Sequence, residues 1–219
     1  MNRKIIEKTS PFLMTLLVLL CFFAVFDAAS SESAVNEGFI RGISGLMADN
    51  VIPKRKGTII SLGDFEDFTT TYGYYQWTPL LETQHFVFYT NLSWTSTAQK
   101  TDPMKAGCGI VFHLSPATNN SVVMSLRMDG NIYFDGVKNY KPFSLGYYYF
   151  HLPSFEDTFE LMVVVDGENA VVYVDGNRIV TKANLPVQGS YFGLCSISGS
   201  YQEQYGTNCS FKDMVIYTW

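Results

Sequence analysis

The sequence predicts an all-β protein, an antiparallel β-sandwich or jelly roll. Three observations carry that expectation. Between Phe159 and Val180, two runs of β-branched and apolar residues, Leu161 to Val165 and Ala170 to Val174, each end in Asp-Gly. Asp-Gly tolerates the positive φ angles of tight hairpin turns, and β-branched side chains suit a pleated, half-buried surface, so the stretch reads as a three-stranded meander. About ten or more such runs follow one another, many at roughly 8–12-residue spacing with turn signals between them. Beyond the N-terminal segment no stretch has convincing helical character.

Residues 1–31 have the layout of a secretory signal. Arg3, Lys4 and Lys8 give a positive start, Pro11 to Phe26 is an almost unbroken apolar run, and Ala28, Ala29, Ser30 and Ser31 are small residues suited to cleavage. The run is slightly short of the roughly 20 residues of a membrane span, which leaves an uncleaved anchor as the alternative. Cys21 follows Leu19 and Leu20, so it lacks the small residue that a lipoprotein signal needs. A secreted or cell-surface location follows, with an oxidising compartment for the rest of the chain. Cys108, Cys195 and Cys209 then allow one disulfide and one thiol. By spacing, Cys195 and Cys209 close a loop of about 15 residues, worth roughly 3 kcal/mol. No CxxC spacing points to a metal.

Residues 32–57 read as a polar tether. Phe39, Ile40, Ile43, Leu46 and Met47 have rough helical spacing, but Gly38, Gly42 and Gly45 weaken a helix to one short amphipathic turn. The sandwich domain is expected over 58–219. Thr58 to Leu62 is its first strand, and Gly63 to Asp67 a turn region. Asp64, Glu66 and Asp67 there form either a solvated turn or, with loop carbonyls, a calcium site. The aromatic-dense stretch Tyr72 to Trp77 follows. Tyr72, Tyr74, Tyr75 and Trp77 are the candidate ligand platform, because sugar C–H patches pack on aromatic faces. The plainer reading is that these rings cap the end of the core.

His85 to Trp94 alternates, with Phe86, Phe88, Leu92 and Trp94 on one buried face and Thr90 the polar exception. Thr95 to Lys105 reads as a loop. Ala106 to Phe112 is a strand in which Gly107 and Gly109 permit close backbone approach. Ser121 to Arg127 and Asn131 to Phe134 form a hairpin across Asp129-Gly130, and Asp135-Gly136 is expected to close the second strand. In Tyr147 to Phe150, Tyr147 and Tyr149 face one side, Tyr148 and Phe150 the other. Tyr191 to Ile197 is the next strand, and the loop Gly199 to Thr207 carries Tyr201 and Tyr205. In the last strand, Cys209, Phe211, Val215, Tyr217 and Trp219 share one parity and are assigned to the core. Asp213 interrupts that face, at an edge or a bulge.

Composition narrows the function. The net charge is −5 and the one run of basic residues is Lys54-Arg55-Lys56, so nucleic-acid binding is excluded for want of clustered positive charge. A retaining glycosidase needs two carboxylates about 5 Å apart. Glu156 and Glu160 share a face, but Thr158 stands between them and Asp157 points the other way. His85, His113 and His151 lie in separate segments without metal or triad spacing. Asn91, Asn119 and Asn208 begin N-glycosylation triplets, which arise often by chance. No catalytic residue, metal ligand or cofactor is assigned.

Taken in succession, several motifs resemble a known family. They are Gly107-Cys-Gly-Ile-Val-Phe, Asp129-Gly130, the Leu-Met-Val-Val-Val-Asp-Gly meander, Gly189-Ser-Tyr-Phe-Gly-Leu and the closing Cys-Ser-Phe-Lys-Asp-Met-Val-Ile-Tyr strand. Together they are similar to concanavalin A-like lectin/glucanase domains, more narrowly to exported bacterial laminin-G-like and 3-keto-disaccharide-hydrolase-like domains, over residues 58–219. The resemblance implies glycan binding or adhesion, with a glycan or cell-envelope polysaccharide as partner, and in some members sugar cleavage. It also implies a Cys108–Cys209 disulfide, with Cys195 left as a buried thiol. A structural or protein-interaction role in the envelope is the rival reading.

Overall fold

A computed structural model describes residues 37–69, 75–96, 106–199 and 206–219. The predicted signal segment 1–31, Tyr72, Tyr74, Tyr201, Tyr205 and most of the 95–105 connection lie outside them. The chain divides into two units, Met1–Ser44 and Gly45–Trp219.

The predicted tether contains a helix instead, α1 (residues 37–48). Phe39, Ile43 and Leu46 are buried at i, i+4 and i+7. The three glycines have open space where a Cβ would stand, so they cost propensity without disturbing packing. In the second unit the helix ends in a Schellman motif. Asn50 takes φ 55°, its N–H donates to the Met47 carbonyl, and the Val51 N–H donates to that of Leu46. Among the described residues no helix is long and apolar enough to cross a membrane.

The rest of the second unit is a sandwich of twelve strands: β1 (Thr58–Thr69), β2 (Tyr75–Glu82), β3 (His85–Ser96), β4 (Gly107–Ser115), β5 (Asn120–Arg127), β6 (Asn131–Lys138), β7 (Lys141–Tyr149), β8 (Glu156–Asp166), β9 (Asn169–Val174), β10 (Asn177–Lys182), β11 (Tyr191–Ile197) and β12 (Thr207–Thr218). They form two antiparallel six-stranded sheets. Sheet A has the order β1-β12-β3-β8-β9-β10 and sheet B the order β2-β11-β4-β5-β6-β7. Alternate residues of both sheets meet in one core. Phe86 and Phe88 of β3 pack on Phe192 of β11 at 4.9 and 5.0 Å between ring centroids. The Cys108–Cys209 disulfide crosses that core, joining β4 to β12.

The meander forms as expected in β8, β9 and β10, with Asp175 and Gly176 both at positive φ. Three local expectations need correction. β1 continues through Gly63 to Asp67 as strand, because a bulge at Gly63 absorbs the irregularity without breaking the pairing with β12. Asp135-Gly136 lies inside β6, and the turn falls at Asn139-Tyr140, both at positive φ. In β12, Asp213 is a bulge with φ 54°, so parity changes there: Cys209 and Phe211 are followed into the core by Met214 and Ile216, not by Val215 and Tyr217.

Sheet A's outer face is covered in part, at Tyr217 by the segment that leads into β1. Val87, Val164 and Val215 there are buried, Tyr217 Oη donates to the Arg55 carbonyl at 2.7 Å, and Gly57 lies against the Tyr217 ring.

Candidate functional site

The outer face of sheet B carries the candidate site. Strand register sets its rows. Across β2, β11, β4, β5, β6 and β7, Trp77, Cys195, Gly109, Ser125, Tyr133 and Tyr147 lie in one row. Val111, Val123, Asp135 and Ser144 lie in the next. Val111, Val123, Cys195 and Ile197 make a small apolar cluster under Trp77 and Tyr191. An open pocket of about 340 Å³ adjoins it, lined by Trp77, Val123, Asp135 and the β6–β7 hairpin residues Val137, Pro142 and Phe143. Gly136 makes room for that hairpin: a Cβ there would lie 2.4 Å from the Phe143 ring.

Arg127 organises the polar part. Its Nη2 donates to Asp135 Oδ2 at 2.5 Å and its Nε to Ser125 Oγ at 3.0 Å. Its guanidinium lies 4.0 Å from the centroid of the Tyr133 ring. The side chain of Arg127 is 5% exposed, that of Asp135 18%. Gly107, opposite Arg127 on β4, puts no side chain beside it. Tyr133 Oη donates to Asp129 Oδ2 at 2.7 Å, and burial followed by that carboxylate pushes the phenol pKa well up, so it stays a neutral donor. Tyr147 stacks on Tyr133 at 5.5 Å between centroids and is 65% exposed. Burial pushes the Cys195 thiol up to about 12, so beneath this face it is an apolar packing group, not a nucleophile.

Of the four predicted platform residues, Trp77 is on this face, half-buried at the pocket wall. Tyr75 opens β2 opposite Ile197. Tyr72 and Tyr74 lie outside the described residues. Arg127, Asp135, Tyr133, Asp129 and Ser125 were not anticipated as site residues. Their signal is present in the sequence: Ser121, Ser125 and Arg127 on β5 and Asn131, Tyr133 and Asp135 on β6 hold the parity opposite to the core residues, and polar groups recur there in mid-sheet strands.

The carboxylates weighed for calcium or catalysis do not converge. Asp64 Oδ1 accepts the Asp213 N–H at 3.0 Å, while Asp67 accepts from Ser196 Oγ, which in turn meets Thr69 Oγ1 at 2.5 Å. Glu160 sits on β8 near Tyr89, whose phenol burial and that carboxylate push up to about 12. β12 and β3 separate β1 from β8, so these two acidic groups stand about 14 Å apart at ordinary strand spacing. Among the described residues, no group of three His, Cys, Asp or Glu side chains is placed to hold a metal ion.

This two-sheet arrangement is the concanavalin A-like lectin/glucanase fold. The carbohydrate-binding module CBM66 from Bacillus subtilis superposes with a TM-score of 0.53 at 9% identity, covering 71% of this chain and 92% of that one. A Bacillus licheniformis β-glucanase superposes at 0.50 with 12% identity, covering 74% and 82%. No protein-family model and no curated protein sequence matches the chain.

Proposed function

We propose that the chain is an exported or surface-held glycan-binding module that acts without catalysis. The observation behind this reading is the makeup of sheet B's outer face. A pocket walled by Trp77 and Asp135 adjoins the buried Arg127 and an exposed Tyr147 ring stacked on Tyr133. Aromatic faces for C–H patches beside a few fixed polar groups are what a sugar site needs. The similarity to a carbohydrate-binding module supports it. The non-catalytic part rests on the carboxylates weighed for catalysis or calcium, which lie on β1 and β8 of sheet A and not on this face. The partner is a glycan such as a cell-envelope polysaccharide, and residues 1–31 serve as signal or anchor.

A glycan array followed by calorimetry tests this. Wild type binds a defined glycan, and Trp77→Ala and Tyr147→Ala each weaken it at least tenfold while the melting temperature of Tyr147→Ala stays within about 2 °C, since an exposed ring adds little stability. A folded chain that binds no glycan refutes the reading.

A further inference from the structure

We infer that the sheet B pocket takes an acyl group, such as the acetyl of an acetylated sugar, so that the module prefers acylated glycans to their bare-hydroxyl counterparts. This rests on the glycan-binding reading and names its ligand class. The walls of the pocket carry the inference. Trp77, Val123, Val137, Pro142 and Phe143 present carbon, and Gly136 adds no side chain. Two polar side chains complete the lining, Asp135 and Ser144. The Asp135 carboxylate is held by the Arg127 guanidinium at 2.5 Å, so the two charges offset each other and neither is free for a ligand. Ser144 is exposed, and its Oγ accepts the Gly146 N–H at 3.4 Å. That contact uses a lone pair and leaves the hydroxyl hydrogen to donate. The Trp77 indole is likewise a donor without an acceptor atom.

A bare pyranose brings hydroxyls, each of which must donate as well as accept. Set against Val123, Val137 and Pro142, those O–H groups give up water and gain no acceptor in return, which opposes binding. An acyl group matches the lining better. Its methyl or short chain adds apolar area to bury against the valines and the indole, and its carbonyl accepts without donating. The pocket, about 340 Å³, stands at the small end of ordinary ligand sites, which suits one substituted sugar unit rather than a stretch of chain. Tyr147, in the row beside Ser144, offers its exposed ring to the unit next to it.

The test uses the full chain on matched glycans. One set is O-acetylated oligosaccharides before and after alkaline deacetylation; the other is N-acetylhexosamine oligomers beside the parent hexose oligomers. Calorimetry is expected to show the acylated member binding roughly tenfold more tightly, or better. Ser144→Ala removes a donor, and Val137→Thr sets a hydroxyl in the apolar wall at nearly the same shape. Each is expected to narrow the ratio to under about threefold. Ser144 is exposed and Val137 half-buried, so both variants should keep the fold, which their melting temperatures check. Equal or tighter binding of the bare-hydroxyl member overturns the inference while leaving glycan binding intact. A preference that neither substitution narrows also overturns it, because the acyl group then sits elsewhere. Binding of neither member, by a folded chain, overturns the glycan-binding reading as well.

Discussion

His113 sits in β4 at φ 51°, where the β4–β5 register shifts between Phe112 and Ser115. Its Nε2–H donates to the Gly167 carbonyl at 2.9 Å, while Nδ1 is buried without a hydrogen-bond partner. That is a neutral imidazole, and burial lowers its pKa below the usual 6.5, with nearby His85 adding to the effect and the Gly167 bond opposing it. In the unfolded chain the same ring titrates near 6.5. Below that pH the unfolded state takes up a proton that the folded state resists, so this contribution to stability is present above about pH 6.5 and lost as pH falls beneath it. Urea titrations at pH 7.5 and 5.5 are expected to show lower stability at 5.5. His113→Asn, which tolerates positive φ and does not titrate, should show a smaller drop. Equal pH slopes in the two proteins would contradict the assignment. Nothing in the residue pattern announces this role, because the strain and the missing partner arise only when β4 meets the β8–β9 turn.

At the scale of elements, alternation and turn chemistry made most strands legible, and bulges hid the rest. β3, β8 and β9 follow the period-2 pattern without interruption, and the core face of β3 matches expectation, whereas β10 carries an irregularity between Arg178 and Val180. β12 does not, because Val215 and Tyr217 are buried too, on the outer face of sheet A, so apolar residues on both sides mask the change of parity. Asp135-Gly136 misled for a related reason. Glycine there serves packing against Phe143, whereas the turn uses Asn139, whose N–H donates to Asn120 Oδ1 at 2.7 Å. Of the candidate site, aromatic density in the sequence draws attention to Trp77, whereas the Arg127–Asp135 pair depends on β5 and β6 being neighbours with their polar parity outward. The Asp213 bulge is itself testable. Asp64 accepts its N–H, and its own Oδ2 accepts from Asn91 Nδ2 at 2.8 Å. A β-branched residue at φ 54° is strained, so Asp213→Val should destabilise by about 2 kcal/mol and Asp213→Gly by clearly less. Denaturant midpoints measure the difference, and a Val variant as stable as the Gly variant would remove the bulge from the account.

At the scale of the molecule, one covalent bond joins the two sheets. By spacing alone, Cys195 and Cys209 were the plain pair. The fold separates them: Cys209 of β12 points into the core, whereas Cys195 of β11 belongs to the apolar cluster on sheet B's outer face. Cys108 of β4 points into the core toward β12, so it is the partner within reach. The bond spans a sequence separation of 101, which removes far more freedom from the unfolded chain than a 15-residue loop, about 4.7 against about 3 kcal/mol in the chain-entropy account. It also ties sheet A to sheet B beside the hydrogen bonds of Asp67 and Thr69 with Ser196, which cross between the sheets at the neighbouring register positions. Replacing Cys108 and Cys209 together by Ala should therefore lower stability by about 4 kcal/mol, and reductant should lower wild type to a similar level. Cys195→Ala should cost about 1 kcal/mol, keep its sensitivity to reductant, and remove from the described residues the thiol that wild type exposes to a thiol reagent only after unfolding. If Cys195→Ala instead removed the effect of reductant, the bond would lie elsewhere, and the tie between the sheets with it.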